Sequence, residues 1–365
     1  MQGHANISTL DSMRDDPRMA SLFREMHNAD GTLKTCQKVW ISSVGCAGDG
    51  YADVIEQTGK LTAGFGASPS EIGPEFTFGI YMEKLLKEPI LIIKTSWGGR
   101  SLHTDFRPPS AGIEPINDFM LDQWKRRKID AEKETAKIHE NGGVFYRHMI
   151  AHVKKVLANI KRVVPEYDPK QGYELAGFAW FQGFNDMIDS WVYPNQMKSG
   201  GYNDYANVLV QFIRDIRKDL SAPEMPFVIG VMGIGGEWEG RRAPQMYFRQ
   251  AQAAPASLAE FQGNVVAVHT SLYWDDDLEA LQQRAERLND LVEREFRKSP
   301  NISEEEKEAA RKKAKEECFT PVELQRMKGI SNGGYHYLGA AKIVAPIGKA
   351  FADTMFSLLR NRKPK

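Results

Sequence analysis

Residues 175–186 read LAGFAWFQGFND, an apolar run that ends in Gln182-Gly183-Phe184-Asn185-Asp186. The nearly continuous hydrophobicity of residues 175–181 is typical of a strand that is buried on both faces of a parallel sheet. Four further short apolar runs alternate with helical patterns along the chain: residues 39–44, 89–95, 226–232 and 265–269. This alternation predicts an α/β fold with a mostly parallel, doubly wound sheet.

Helical patterns lie between these strands. Pro74 and Glu75 suit the first turn of a helix running to about residue 86, because proline and an acidic side chain are both favoured there. Further helices are predicted near residues 119–139, 145–160, 205–220 and 337–359. Residues 275–328 are dense in charge, and Ser303 with Glu306 forms a capping box. We interpret this stretch as a charged helical insertion within a single domain that spans residues 1–365.

The composition excludes several classes of protein. Of the 365 residues, 42% are hydrophobic and 26% are charged, which is typical of a soluble globular protein. The charges of the 48 basic and 48 acidic side chains cancel. The chain therefore lacks the excess of positive charge that is typical of proteins that bind nucleic acids or anionic membranes. The apolar runs are far shorter than a membrane span of about 18 residues. Three cysteines are too few for a disulfide framework and match no zinc motif.

Side-chain amides follow the strand at residues 175–181. Ligands bind outside the carboxyl ends of strands in open parallel sheets, so Gln182 and Asn185 lie where a substrate is expected. Amide N–H groups donate without titrating, which suits them to stabilise an oxyanion. A turn leaving the strand is the alternative explanation, and it accounts for Asn185 but not for Gln182.

Two other segments contain candidates for catalysis. Residues 93–102, IKTSWGGRSL, place Gly98 and Gly99 after a strand, where backbone N–H groups can approach a substrate oxygen closely or simply form a tight turn. Residues 331–337, SNGGYHY, place His336 before a helix, where it can act as a general base. His148 and His152 share a helix face but have no glutamate between them, so no metal site is predicted. No cofactor is predicted either, because the glycine pattern beginning at residue 233 lacks the third glycine of a dinucleotide fingerprint.

Taken together and in this order, the segments resemble the SGNH hydrolases, specifically the sialate O-acetylesterase-like carbohydrate esterases. In that family the nucleophile is the serine of a GQSNM motif after the first strand. The segments that match the later motifs of the family are residues 73–75, 94–102, 180–185 and 336–339. The resemblance implies a flavodoxin-like three-layer α/β/α fold and a serine-type hydrolase that removes O-acetyl groups from carbohydrates.

The resemblance also implies roles for individual residues. Gly99, or its neighbour Gly98, would donate a backbone N–H to the oxyanion, and Gln182 a side-chain N–H, with Asn185 as the second candidate. His336 would activate the serine. Further residues are expected to contact the sugar: Trp97, Arg100, Phe184 and Gln2. Relatives that act on polysaccharides are commonly exported, so an exported full-length protein is expected, although residues 1–10 show no secretory pattern.

Two departures from the family pattern affect these expectations. The aspartate expected three residues before the histidine is replaced by Gly333, so a backbone carbonyl, Asp186 or residues 275–277 are left to orient His336. Residues 1–6, MQGHAN, resemble the residues that come directly after GQSN in the family. The nucleophilic serine and the first strand are therefore expected to be absent from this chain, which would make the chain inactive.

Two alternatives to a truncated hydrolase stay open. A non-catalytic glycan-binding relative would keep the pocket without the nucleophile. In a third interpretation, Ser96 or Ser101 replaces the missing serine, although neither lies in a GxSxG elbow.

Overall fold

The computed structural model describes residues 1–46, 54–237, 243–298 and 302–362. The strands of these residues are Ala5–Asn6 (β1), Val39–Cys46 (β2), Val54–Lys60 (β3), Glu71–Ile72 (β4), Ile90–Thr95 (β5), Phe178–Trp180 (β6), Phe227–Val231 (β7) and Val265–His269 (β8).

The helices of the same residues pack around these strands. They are Asp11–Arg14 (α1), Ala20–Glu25 (α2), Pro74–Leu86 (α3), Asp118–Arg126 (α4), Ala131–Asn141 (α5), Val144–Ala158 (α6), Phe184–Ile188 (α7), Asn203–Asp219 (α8), Ala243–Ala253 (α9), Asp276–Lys298 (α10), Glu304–Cys318 (α11), Pro321–Met327 (α12) and Ala341–Arg360 (α13).

The strands form two parallel arrangements. β2 pairs in parallel with β5 and antiparallel with β3, and β6, β7 and β8 form a wholly parallel group. β1 and β4 form a separate two-residue antiparallel ladder. The predicted α/β fold with parallel strands is confirmed, and every apolar run singled out in the sequence overlaps one of the observed strands. β3 was not predicted because its sequence, VIEQTGK, is largely polar, as edge strands often are.

Two helix predictions differ from the structure. The helix predicted at residues 119–139 is two helices, α4 and α5. The chain turns between them at Lys128, whose φ is 56°, and Asp130 then caps α5 by accepting a hydrogen bond from the backbone N–H of Lys133. The last helix begins at Ala341 rather than near residue 337, because Tyr337 and Leu338 adopt left-handed backbone conformations.

The crossing of α3 and α13 fixes the segments that carry the site. Gly348 lies so close to α3 that a Cβ there would be 2.1 Å from the carbonyl oxygen of Pro74. The Thr77 hydroxyl also donates a hydrogen bond of 2.7 Å to the carbonyl of Ala345. The start of α3 lies beside the end of β5, where Glu75 pairs with Lys94 at 3.0 Å, and the loop before α13 lies beside the end of β6, where the rings of Tyr337 and Phe181 are 5.6 Å apart.

The charged stretch contains α10, α11 and α12, and the capping box of Ser303 and Glu306 is present at the start of α11. Leu281, Ala285 and Phe319 form a small apolar cluster separate from the main core. The boundaries of the insertion and the single domain stay predictions. No helix in the described ranges is long and apolar enough to cross a membrane.

Candidate active site

The loop after β5 brings backbone N–H groups to the surface of the site. Gly98 and Gly99 are exposed, and Gly99 has a φ of 70°, a left-handed conformation that suits glycine. A Cβ on Gly98 would lie 2.8 Å from the Oε1 atom of Gln2. Gln2, predicted to contact the sugar, thus lies beside the glycine pair.

Residues 2–4 cross the site in a tightly confined path. Gly3 has a φ of 94°, and a Cβ there would be 2.3 Å from the Cα atom of Gly73, so the two glycine backbones nearly touch. The Lys94 ammonium donates a hydrogen bond of 2.6 Å to the carbonyl of Gln2 and one of 3.0 Å to the carboxylate of Glu75. The lysine of the KTSWGG segment and the glutamate of the GPE segment thus anchor this path.

Gln182 joins the loop after β6 to the loop after β5. Its Nε2 group donates hydrogen bonds to the carbonyl of Arg100 at 2.9 Å and to Asp186 at 2.6 Å. Asp186 is 1% exposed and also accepts hydrogen bonds from the backbone N–H groups of Leu102 and His103. Burial raises the pKa of Asp186, and the donors around it oppose that rise. We call this set of contacts the Asp186 clamp.

Asn185 lies beside the glycine turn. Its Nδ2 atom is 3.9 Å from the position that a Cβ of Gly99 would occupy. Within the described part of the chain, no hydrogen bond uses the Asn185 amide, whereas Gln182 directs its amide group at protein acceptors. The structure therefore leaves Asn185 more available than Gln182 to a substrate oxygen.

His336 is oriented by the side chain of Asn332. The Nδ1 atom of His336 lies 3.0 Å from the Oδ1 atom of Asn332, which leaves Nε2 for a reacting group. Tyr337 and Leu338 follow with φ values of 57° and 60°, a strained pair of left-handed residues directly after the histidine. Burial, and then the neighbouring His4, lowers the pKa of His336 to about 4. The imidazole is therefore neutral at neutral pH, as a general base must be.

The predicted acidic partners of His336 are corrected by this geometry. Asp186 uses its oxygens in the Asp186 clamp, and Asp275 and Asp277 form ion pairs with basic side chains of α13 and α12. The contact to His336 comes instead from Asn332, one residue before the position where the family pattern has aspartate. A side-chain amide oxygen can hold the Nδ1–H tautomer without carrying a charge.

His4 stacks on His336. The two ring centroids are 3.8 Å apart and the planes are inclined by 17°. The Nδ1 atom of His4 lies 3.5 Å from a carboxylate oxygen of Glu71. The loop that carries His336 is also tied to this segment, because the Ser331 hydroxyl accepts a hydrogen bond of 3.1 Å from the backbone N–H of Asn6. Sequence reasoning left His4 without a role, since nothing in its local pattern indicates a partner more than 300 residues away.

Two residues that were predicted to contact the sugar, Trp97 and Arg100, pack against other side chains of the protein. The Trp97 ring is 6% exposed and packs edge-on against Phe145 at 5.2 Å, so the structure corrects the prediction and makes Trp97 a core residue. The Arg100 guanidinium lies 4.4 Å from the ring centre of Phe145 and 3.6 Å from the carboxylate of Asp105. These contacts hold Arg100 against the protein.

Phe184 keeps its place as a candidate for sugar contact. It is partly exposed, and its ring centre lies 5.9 Å from that of Tyr335. Tyr335 is 53% exposed and precedes His336 directly, although it is not among the residues that the sequence predicted to contact the sugar. The two rings form an aromatic pair that places the Phe184–Asn185 segment beside the histidine loop.

The serines proposed as replacement nucleophiles are engaged elsewhere. The Ser101 hydroxyl donates to Asp105 and accepts from the backbone N–H of Thr104. Ser96 is 8% exposed. In the ranges that the structure describes, neither hydroxyl hydrogen-bonds to His336.

Comparison with protein families identifies the chain. The model of the family described as "Carbohydrate esterase, sialic acid-specific acetylesterase" matches residues 56–278, more than half of the sequence. The chain belongs to this family. The match includes the glycine turn, Gln182 and Asn185. This family consists of carbohydrate esterases, as the sequence motifs predicted.

Solved structures and curated proteins were compared as well. A protein from Arabidopsis thaliana is 17% identical, with a TM-score of 0.37 over 65% of this chain and 70% of the other. A carbohydrate acetylesterase from Xanthomonas citri is 13% identical, with a TM-score of 0.39 over 75% of this chain and 49% of the other. No curated protein sequence matches this chain.

Proposed function

We propose that this protein removes O-acetyl groups from carbohydrates by serine-type ester hydrolysis. The observation that carries the proposal is the path of residues 2–4. Gln2 contacts Gly98, and His4 stacks on His336, so these few residues connect the glycine turn to the histidine. The glycine turn and His336 therefore border the same three-residue segment, and we infer that an oxyanion donor and a general base there act on one ester.

The chemistry follows from the orientation of His336. The Nε2 atom would take the proton of the serine hydroxyl as the oxygen attacks the acetyl carbon. As the bond from that carbon to the sugar oxygen breaks, Nε2 would give the proton to the sugar oxygen, which leaves as a hydroxyl. The acetyl-enzyme would then be hydrolysed by a water that His336 deprotonates. Asn332 would hold the ring through Nδ1–H during both steps.

We assign the oxyanion donors to the backbone N–H of Gly99 and the side-chain amide of Asn185. The support is that Asn185 lies against Gly99 with no protein acceptor among the described residues, while the Gln182 amide is used in the Asp186 clamp. Gln182 would then position the two loops rather than contact the oxyanion. Phe184 and Tyr335 would form the wall that packs against the sugar ring.

We further propose that the nucleophile is a serine in a GQSN segment joined to Met1, preceded by a strand. Within the described ranges, β5 and β6 each pair on one side only, and the backbone nitrogen of Met1 donates to the carbonyl of Phe181 just beyond β6 at 2.7 Å. A strand between β5 and β6 would join the two sheets into one. The order β3-β2-β5-strand-β6-β7-β8 would give the three-layer flavodoxin-like fold.

The test compares two proteins. One is the 365-residue chain, and the other is the same chain extended upstream with the strand and GQSN segment of its own coding region. The extended protein is expected to release acetate from acetylated sugars, and the 365-residue chain is not. The control is the extended protein with alanine in place of the GQSN serine, which should be inactive but equally stable.

Two outcomes would contradict the proposal. Turnover by the 365-residue chain that labels Ser96 or Ser101 with a serine-directed reagent would make one of them the nucleophile. An extended protein that binds acetylated sugars without releasing acetate would favour the non-catalytic glycan-binding relative.

A further inference from the structure

A histidine that the proposed reaction does not use lies directly on the one that it does. His4 and His336 stack at 3.8 Å between ring centres, closer than other aromatic pairs in the described ranges. Both rings are partly buried. The segment that carries His4 is fixed by β1, which pairs with β4 and so places Glu71 beside the His4 ring.

We propose that His4 is a positioning residue for His336, with Glu71 holding the His4 ring against the face of the catalytic imidazole. This inference rests on the proposed function. His336 carries only an uncharged partner at Nδ1, Asn332, so its ring plane is held less strongly than by a carboxylate. A stacked ring supplies the missing restraint.

The stack also affects the charge that develops during catalysis. When Nε2 takes the serine proton, His336 becomes an imidazolium whose face lies on the His4 ring. A neutral aromatic ring stabilises a cation over its face, whereas a protonated one repels it. Burial lowers the pKa of His4 and Glu71 raises it, with a net lowering, so His4 is neutral at neutral pH.

The groups around this pair determine the direction of each expected effect. The charged or titratable groups facing the two rings are Glu71, Lys94, Tyr335 and the amino group of Met1. His336 titrates in acid, well below neutral pH, and there a proton on His4 opposes protonation of His336, whereas the carboxylate of Glu71 favours it. Removing His4 and removing the charge of Glu71 should therefore shift the pKa of His336 in opposite directions.

The first experiment is a histidine NMR titration of the 365-residue chain, with the His336 signal assigned by its loss in His336→Gln. His4→Phe should raise the pKa of His336, and Glu71→Gln should lower it. The amino group of Met1 is present in every variant, so its effect on the pKa of His336 is the same in all of them. His27→Phe is the matched control, because His27 is also stacked, on Phe23 at 4.0 Å, and should change nothing.

The second experiment measures acetate release by the extended protein. His4→Ala should lower kcat by up to about 100-fold at unchanged KM, because a misplaced base loses its alignment. His4→Phe should restore most of kcat, since it restores the stacked face. Melting temperatures separate this effect from unfolding: kcat should fall in a variant that melts like the wild type.

The inference is overturned if His4→Phe and Glu71→Gln leave the titration of His336 unchanged or move it in the same direction. It is equally overturned if folded His4→Ala retains full kcat. If the extended protein releases no acetate at all, the proposed function fails, and the titration still decides whether His4 and Glu71 control His336.

Discussion

The assignment of Gln182 as a positioning residue and Asn185 as an oxyanion donor predicts opposite behaviour for their alanine variants. Gln182→Ala removes one hydrogen bond to the buried carboxylate of Asp186 and one to the carbonyl of Arg100. It also removes a long contact of 3.4 Å from the Tyr205 hydroxyl to Oε1, but that hydroxyl keeps its other contact of 3.4 Å, to the backbone carbonyl of residue 182. A bond to a charged group contributes about 1.5–3 kcal/mol and a neutral one about 0.5–1.5 kcal/mol. The free energy of unfolding should therefore fall by about 2–4.5 kcal/mol.

This loss converts into a melting temperature that can be measured on the 365-residue chain. An unfolding entropy of about 2.1 cal/mol/K per residue gives a decrease in Tm of about 3–6 °C for a chain of this size. Asn185→Ala removes no hydrogen bond of the described residues, so its Tm should stay close to that of the wild type. In the extended protein, Asn185→Ala should instead lower kcat by about 100- to 1000-fold, as expected when one oxyanion donor is lost.

Differential scanning calorimetry and acetate release on the same preparations provide the two readouts. Gln211→Ala is the matched control, since Gln211 is an amide on α8 whose side-chain hydrogen bonds in the described ranges are to Ser110 and Arg214, both exposed. The reasoning is refuted if Gln182→Ala melts like the wild type while losing kcat. It is refuted equally if Asn185→Ala retains kcat.

The remaining predictions concern pH. Burial raises the pKa of Glu56, but hydrogen bonds led by that of Arg162 outweigh it and hold the pKa at about 2, below the ordinary value of 4.5. Glu56 thus contributes stability that is present above pH 4.5 and lost as the pH falls towards 2. When Tm is measured across this pH range, it should decline less steeply in Glu56→Gln than in the wild type. Asn332→Asp places a carboxylate at Nδ1 of His336 and should raise the pKa of His336 from about 4, so the acid limb of kcat/KM should move to higher pH. An unchanged acid limb in a folded variant would contradict the orienting contact.

Five strands, β2 and β5–β8, were predictable from sequence because each is a short apolar run bounded by glycine, proline or polar residues. Burial on both faces removes the need for alternation and leaves a distinctive pattern. β3 lacks that pattern, since it is a polar strand whose position depends on pairing with β2. The break between α4 and α5 was missed because Lys128 adopts a left-handed conformation that its residue type does not indicate.

The sequence indicated the segments that the structure brings together, but not the contacts that their side chains make. Strand ends indicated Gly99, Gln182 and Asn185, yet which amide is free depends on the Asp186 clamp, which joins residues more than 80 positions apart. Asn332 precedes Gly333, the position where the family has aspartate, but the sequence does not show that its side-chain oxygen reaches His336. That contact appears only in the structure. The stack of His4 on His336 required the fold as well.

The Asp186 clamp has a consequence for redesigning this site. Because one buried carboxylate binds the backbone of residues 102 and 103 together with Gln182, the loops after β5 and β6 share a single anchor. Grafting one of these loops from another esterase would leave that anchor mismatched to the loop that stayed. Exchange of specificity between such enzymes therefore requires both loops to be transplanted together, as one module with its own aspartate.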